Sequence, residues 1–489
     1  MLNKSAQVKY YPLLEPPNPE AKQVYFNLLD DAPDQLALAR SRFYLNRQLE
    51  AAARLNAEIP RNLNEISSWI EAHTRDVGFQ YSRYLEDRKA GGKRRYFTNK
   101  SHALYFLKSV APTKLVDGAW LYDLLRHWRD ARFSALVRIY LEELGEGVPN
   151  KNHVAIFKKL IALHGCDQWS KLGDSYFVQG AIQLSLAHHA SHFLPEAIGF
   201  NLGYEQVPLH LLISAYELNE LAIDPYYFTL HITVDNAASG HAQKALEGLF
   251  DTLPRLTDRK AFLDRVISGY KLNLLGTSTN SIIDEFDLRE ELLAIFAAKR
   301  EVGAQMHSDY CRVAGKSVKQ WLSDPAQLPA FLDSLEQSGW IKRHQSPEGS
   351  RFWKLLQGEH ADMFGVFNLY ERQVIHDWIA GDSAYGASRQ FTFNAQQRQL
   401  GSLERGEDIR HHKGEPRGII RDHNFKARGK AEQLDDFNRE LRALEEQLAR
   451  SFSKESAMAR LIPLMSPAHH HTGPGLMATR IFSALLNAA

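Results

Sequence analysis

From Leu115 to His241 the chain runs through one apolar, helically spaced stretch after another, with scarcely any alternating strand pattern. Such a segment buries one stripe of its surface and needs other helices to bury it against, so this spacing restricts the region to an all-α core. AWLYDLLRHWRDARFSALVRIYLEELG (119–145) predicts a long helix that stops at Gly145 and Gly147, with Pro149 beyond. HVAIFKKLIALHG (153–165) and YFVQGAIQLSLAHHASHFL (176–194) predict two more. PEAIGFNLGYEQVPLHLLISAYELNELA (195–222) predicts a helix kinked at Pro208, and PYYFTLHITVDNAASGHAQKALEGLF (225–250) a further one. Helical spacing also covers 34–59, 63–85 and 258–306.

Outside this core the texture changes. Residues 1–30 read as an extended arm, broken by Pro12, Pro17 and Pro19, ahead of a helical domain over 31–306. The segment 86–97, EDRKAGGKRRYF, reads as a solvated basic connector rather than an anion site. Within 307–382, LPAFLDSLEQSGWIKRHQSPEGSRFWKLL (328–356) has the order helix, turn, strand, turn, strand, the outline of a winged helix, and MFGVF (363–367) predicts another short strand. Its mixed charge disfavours DNA as a partner. Residues 383–432 are polar and aperiodic, a composition expected to stay flexible. A charged helix (432–452) and a tail complete a last segment, 433–489.

The chain of 489 residues is 44% hydrophobic, enough for two or three domains. A net charge of +1 gives no global attraction to nucleic acid or anionic membrane. Two cysteines, Cys166 and Cys311, cannot build a disulfide framework or a thiolate zinc cluster, and a cytoplasmic setting is expected. The N-terminus lacks the apolar run of a signal peptide, and no stretch has the length of a membrane span. With no Gly-x-Gly-x-x-Gly after a strand and no phosphate loop, nucleotide-dependent chemistry is disfavoured.

Acids and imidazoles on apolar helix faces are the remaining signal, because a buried charge is costly unless an opposite charge offsets it. His231 and Asp235, four apart in YYFTLHITVDNA, share a helix face. They form either metal ligands or a hydrogen-bonded core pair. In ELGEGVPNKNH, Glu143 continues the stripe of Ala135, Ile139 and Tyr140, and the Gly–Pro turn folds the chain back toward His153. Glu142 and Glu146 are alternatives, and an exposed acidic helix end is the plain reading. Glu205 sits in an apolar helix whose Gly199 and Gly203 permit close approach, and it needs either a metal or a salt-bridge partner. His188, His189 and His192 have no carboxylate near them in sequence, which favours supporting or surface roles. His469, His470 and His471 occupy a loop that is either a surface tract or the cover of a pocket.

Taken in order, Glu-x9-His around a Gly-containing turn, a Gly-x5-Glu helix and His-x3-Asp resemble the heme-oxygenase-like di-iron oxidases, above all members described as iron-containing redox enzymes. The resemblance spans about residues 100–250. It implies a heme-oxygenase-like helical bundle in which Glu143, His153, Glu205, His231, Asp235 and His241 hold two Fe(2+) ions. This chain departs from the family pattern at Ala238, where a histidine is expected, and the next candidate is His241. On a regular helix His241 lies about 120° from the Asp235 face. A π-bulge or local unwinding near Ser239–Gly240 would bring it in, or His210 would substitute. Tyr204 and Tyr227 are expected beside the ligands.

The implied activity is that of a non-heme oxidase or oxygenase, activating dioxygen to oxidise a small organic substrate by N-oxygenation, C–C cleavage or oxidative decarboxylation. An external electron donor and a homodimer are compatible with it. Carboxylates and imidazoles without thiolates suit iron or manganese, and the lack of any Glu-x-x-His argues against a ferritin-like bundle. Two other readings stay open. One is a cofactor-free binding or regulatory protein that uses the winged segment. The other is a mononuclear iron enzyme, if Ala238 disables one site.

Overall fold

Asp34, Asn62, Asn99, Asn152 and Asp258 each stand one residue before a helix and accept a hydrogen bond from a backbone N–H of its first turn. These caps set where the chain turns from loop to helix, because the first N–H groups of a helix have no partner of their own. The computed structural model describes residues 20–234, 240–357, 365–381 and 453–488, together with Met363 and most of 439–451. The first helices are α1 (Ala21–Leu28), α2 (Gln35–Ala53), α3 (Leu63–Lys89) and α4 (Lys100–Lys114). Then come α5 (Ser134–Glu143), α6 (His153–Leu163), α7 (Val178–His189), α8 (Leu194–Tyr204) and α9 (Leu209–Glu220). α10 (Tyr226–Val234), α11 (His241–Asp251), α12 (Arg259–Lys271), α13 (Thr279–Asp284) and α14 (Leu288–Met306) complete the central region.

The expected all-α architecture holds. Among the described residues the strands are Arg312–Val313 and Lys316–Ser317, paired antiparallel as one small hairpin. One apolar core packs α1, α2, α5, α7 and α8 around Trp120, Tyr140 and Phe200. A second packs α4, α6, α9 and α10 against α14 and the helices that follow it. At Gly199 in α8 an added Cβ would overlap the carbonyl of Val266 in α12, so the two helices touch backbone to backbone. No helix among the described residues is long and apolar enough to cross a membrane.

Several local expectations are corrected. Within the extended arm expected over 1–30, Ala21–Leu28 is helix α1, because Ala21, Val24, Tyr25 and Leu28 form a stripe at helical spacing that is buried in the core. The run 225–250 is not one helix: α10 and α11 are separate, and Gly240 before His241 is extended. The long helix over 119–145 is a 3-10 segment, Ala119–His127, followed after a break by α5. Asp130 causes the break, its carboxylate accepting from Arg132 N at 3.0 Å. The bend at Pro208 is a complete break, with α8 ending before Glu205 and α9 opening after Pro208. The wing strands do not form within 340–356: Pro347–Gly349 is a 3-10 turn and Arg351–Leu356 is a short helix. Buried Phe352, Trp353 and Leu356 are spaced for a helix rather than alternating, which is the physical reason. Of the strand expected over 363–367, residue 364 lies outside the described residues and the others form turn and bend.

The basic segment 86–97 also differs from a plain solvated connector. The buried carboxylate of Glu217 accepts from the backbone N–H groups of Arg95, Tyr96 and Phe97 at 2.5, 3.0 and 2.8 Å, and from Tyr84 Oη at 2.8 Å. The loop cradles an anion supplied by its own chain.

Candidate metal centre

Six buried side chains converge where five chain segments meet. Asp117 lies in the turn after α4, and Gly118 beside it has φ +78°. Glu143 is the last residue of α5 and His153 the first of α6, joined by a turn in which Gly145, Glu146 and Gly147 all have positive φ. Glu205 closes α8, His231 lies in α10, and His241 opens α11. All six are at most 5% exposed.

The donors fall into two groups that share Glu143. Ligand atoms of Asp117, Glu143, His153 and His231 lie within 4.8 Å of one another, and so do those of Glu143, Glu205 and His241. His153 Nδ1 stands 2.6 Å from Glu143 Oε2, yet the two are not aligned as a hydrogen bond and both are otherwise unsatisfied. His241 Nδ1 is 3.1 Å from Glu143 Oε1 and 3.1 Å from Glu205 Oε2. A single N–H cannot point along both lines, whereas a cation between them is met by all three.

His231 is oriented by its other nitrogen. Nδ1–H donates to the carbonyl of Tyr227 at 2.8 Å, since a carbonyl can only accept. Nε2 then faces Asp117 Oδ2 at 3.0 Å. That oxygen already accepts from Tyr227 Oη at 2.5 Å. A neutral imidazole would turn its Nε2 lone pair toward the carboxylate, so a cation, either a second proton or a metal ion, must lie there. The backbone-anchored imidazole with its second nitrogen aimed inward is the arrangement found in metal-ligating histidines.

The surrounding charge holds the acids ionised. Burial pushes the Asp117 carboxyl up, but Lys114 and His231 outweigh it and bring it down to about 2. Burial likewise opposes ionisation of Glu143, and the His153 and His241 imidazoles outweigh it, leaving the group well below the usual carboxylate range. Burial and the Asp117 charge drive the Tyr204 and Tyr227 phenols well above their ordinary values, so both stay protonated. Lys114 Nζ donates to Tyr204 Oη at 3.0 Å. On the far side, His241 Nε2 meets Glu142 Oε2 at 3.0 Å, and Lys244 Nζ reaches the same carboxylate.

Of the residues singled out in the sequence, Glu143, His153, Glu205, His231 and His241 come together, while Asp235 lies outside the described residues. His241 opens a new helix after the extended Gly240. His210 belongs to neither group. Glu142 faces His241 from outside the shared donor set. His189 Nε2 bonds within a helix–helix contact, to Ser41 Oγ and the Leu38 carbonyl, as a supporting residue would. Asp117 was not anticipated. Its only trace in the sequence is an acid in the apolar run LVDGAW ahead of a glycine.

Asp117 Oδ1, Glu143 Oε2 and His153 Nδ1 are buried polar atoms without a hydrogen bond, an expensive arrangement that a bound cation relieves. The donors are oxygen and imidazole nitrogen with no thiolate, a set suited to iron. No curated protein and no solved structure matches the chain. Residues 104–272, which supply all six of these side chains, match the model of a family described as iron-containing redox enzymes.

Proposed function

We propose that the protein is a non-heme iron oxidoreductase, an oxidase or oxygenase whose centre holds two Fe(2+) ions and activates dioxygen to oxidise a small organic substrate. The observation that carries this reading is the sharing of Glu143 between two groups of donors. One ion would be held by Asp117, Glu143, His153 and His231. The other would be held by Glu143, Glu205 and His241, with Asp235 a further ligand. Iron in such an oxygen- and nitrogen-rich setting supplies electrons for the reduction of dioxygen. The protein's own groups orient the donors: Tyr227 fixes Asp117 through its hydroxyl and His231 through its carbonyl. Lys114 and Lys244 flank the carboxylates on opposite sides and temper their negative charge. Each of His153, His231 and His241 faces a carboxylate within 3.1 Å, which favours bare ions over a heme. An external reductant completes the reaction. N-oxygenation, C–C cleavage and oxidative decarboxylation all fall within this chemistry.

Elemental analysis of iron-reconstituted protein tests the reading. About two irons per chain are expected, with dioxygen consumed by the ferrous form. Glu143→Ala should lose both ions because it serves both groups, whereas His231→Ala should lose one. Iron-free protein after reconstitution, or iron binding indifferent to Glu143, overturns it. The unequal donor counts, four against three among the described residues, favour a second reading as a mononuclear enzyme. A stoichiometry near one iron, abolished by His231→Ala and untouched by Glu205→Ala, selects that alternative.

A further inference from the structure

Within the histidine run 469–471, His470 lies behind the metal centre and not on an open surface. His470 is 2% exposed, and its Nδ1 is 3.1 Å from Asn152 Nδ2 across 318 residues of sequence. Asn152 is the joint between the two ligand-bearing helices. Its Oδ1 accepts from Ala155 N at 2.9 Å and so caps the helix that His153 opens. Its Nδ2 donates to the carbonyl of Leu144, the residue after Glu143, at 3.2 Å. Because Oδ1 is committed to a backbone N–H, the orientation of the amide is fixed. The partner presented to the second Nδ2 hydrogen must then be an acceptor: His470 Nδ1, at 3.1 Å, is one when the proton resides on Nε2, and the His470 carbonyl stands farther off at 3.5 Å. Burial disfavours the charged His470 imidazole.

The C-terminal segment that carries His470 is itself anchored to α5 and to the same turn. Tyr140 Oη donates to the carbonyl of Met465 at 2.5 Å, and Arg480 Nη2 donates to the carbonyl of Gly147 at 3.2 Å. Thr472 caps the helix Gly473–Asn487. At Gly475 an added Cβ would run into the His469 and His470 backbone.

We propose that His470 is a positioning residue for the Glu143–His153 pair: its Nδ1 completes the hydrogen bonding of the Asn152 amide and thereby sets the angle at which two helices present their ligands. The inference rests on the metal reading above. It makes the C-terminal segment part of the metal centre without touching a metal. Outer partners of this kind commonly change metal affinity by about 10–100-fold when removed.

Titration of the full-length apoprotein with Co(II), followed by its visible absorption bands, tests this without recourse to activity. His470→Phe fills the ring volume without the nearer, side-chain acceptor, leaving only the carbonyl at 3.5 Å. It should weaken Co(II) binding by about 10–100-fold and shift the bands. His470→Asn places Oδ1 near the position of Nδ1 and should restore both. In an Asn152→Ala background the phenylalanine change should add nothing, since His470 acts through that amide. Unchanged affinity and bands in His470→Phe, failure of His470→Asn to rescue, or additive effects with Asn152→Ala each overturn the proposal. Should near-ultraviolet circular dichroism show the phenylalanine variant unfolded, His470→Gln, which moves the acceptor by one bond, takes its place with the same outcomes. Wild-type protein that binds no Co(II) and no iron overturns the metal reading itself. Wild-type binding with an indifferent His470 overturns only this inference.

Discussion

Gly118 decides how closely Glu143 can approach Asp117. Its φ of +78° is one that side-chain-bearing residues rarely adopt, and an added Cβ would sit 2.6 Å from Glu143 Cβ. Gly118→Ala should therefore destabilise the fold by about 1–3 kcal/mol and weaken metal binding, the first measured by urea unfolding and the second by titration. His102 offers a separate test by pH. Its Nε2–H donates to the carbonyl of Ile283 at 2.9 Å, its Nδ1 accepts from Thr98 N at 3.3 Å, and its ring stacks on Phe286. Burial lowers its pKa to about 4. The unfolded chain, with its histidine near 6.5, then binds more protons than the folded one between these values. The contribution is fully present above about 6.5 and is lost as pH falls toward 4, by up to about 3 kcal/mol. His102→Gln should flatten that part of the stability profile, and an NMR titration should show the His102 ring neutral down to about pH 5. At this scale Glu143, Glu205 and His231 stood out as titratable residues among apolar neighbours, His153 followed from the turn after Glu143, and His241 came from the family resemblance. Asp117 did not stand out, because the partner that explains it, Tyr227, lies 110 residues away.

Elements were legible where apolar spacing and caps agreed. The helix that carries His153 falls where the pattern puts it, whereas the one that carries His231 is only the first part of the run 225–250. Spacing misled where a single side chain redirects the backbone, as at Asp130, or where a short apolar run fits two periods, as in RFWKLL. The loop 86–97 is a further case. Its donors to Glu217 are backbone N–H groups, which carry no residue-specific signature. Glu217→Ala would leave those buried donors unpaired along with the Tyr84 hydroxyl, and should cost about 3 kcal/mol in chemical denaturation. Glu217→Gln, which keeps an acceptor oxygen, should cost less.

For the whole molecule, the C-terminal helices complete the core instead of trailing from it. Met458, Leu461, Met465, Ala478 and Phe482 are buried in the cluster that contains Trp120 and Tyr140. The segment 307–381 is tied in as well: Asp377 Oδ2 accepts from Ser101 N at 2.8 Å, and Trp353, Trp378 and Ile379 share a cluster with Phe97 and Leu107. Truncation after residue 453 should therefore expose a large apolar face of the central region. It is expected to lower the melting temperature well beyond the effect of any single substitution above, or to abolish cooperative unfolding, as read by circular dichroism. A truncated chain that melts like the full-length protein would show that the core closes without this segment.

Local chemistry was enough to set the helical class, the caps and the short-range pairing of Glu143 with His153, because these depend on residues within a few turns of one another. The convergence of five segments on one point was decided by packing. So were the entry of Asp117, the inward turn of His241 at a new helix start, and the placement of His470 behind Asn152. These contacts join residues 36 to 318 positions apart, as in Asp117–His231, Glu205–His241 and Asn152–His470. Nothing along a one-dimensional pattern records which distant side chain will supply the opposite charge or the missing lone pair.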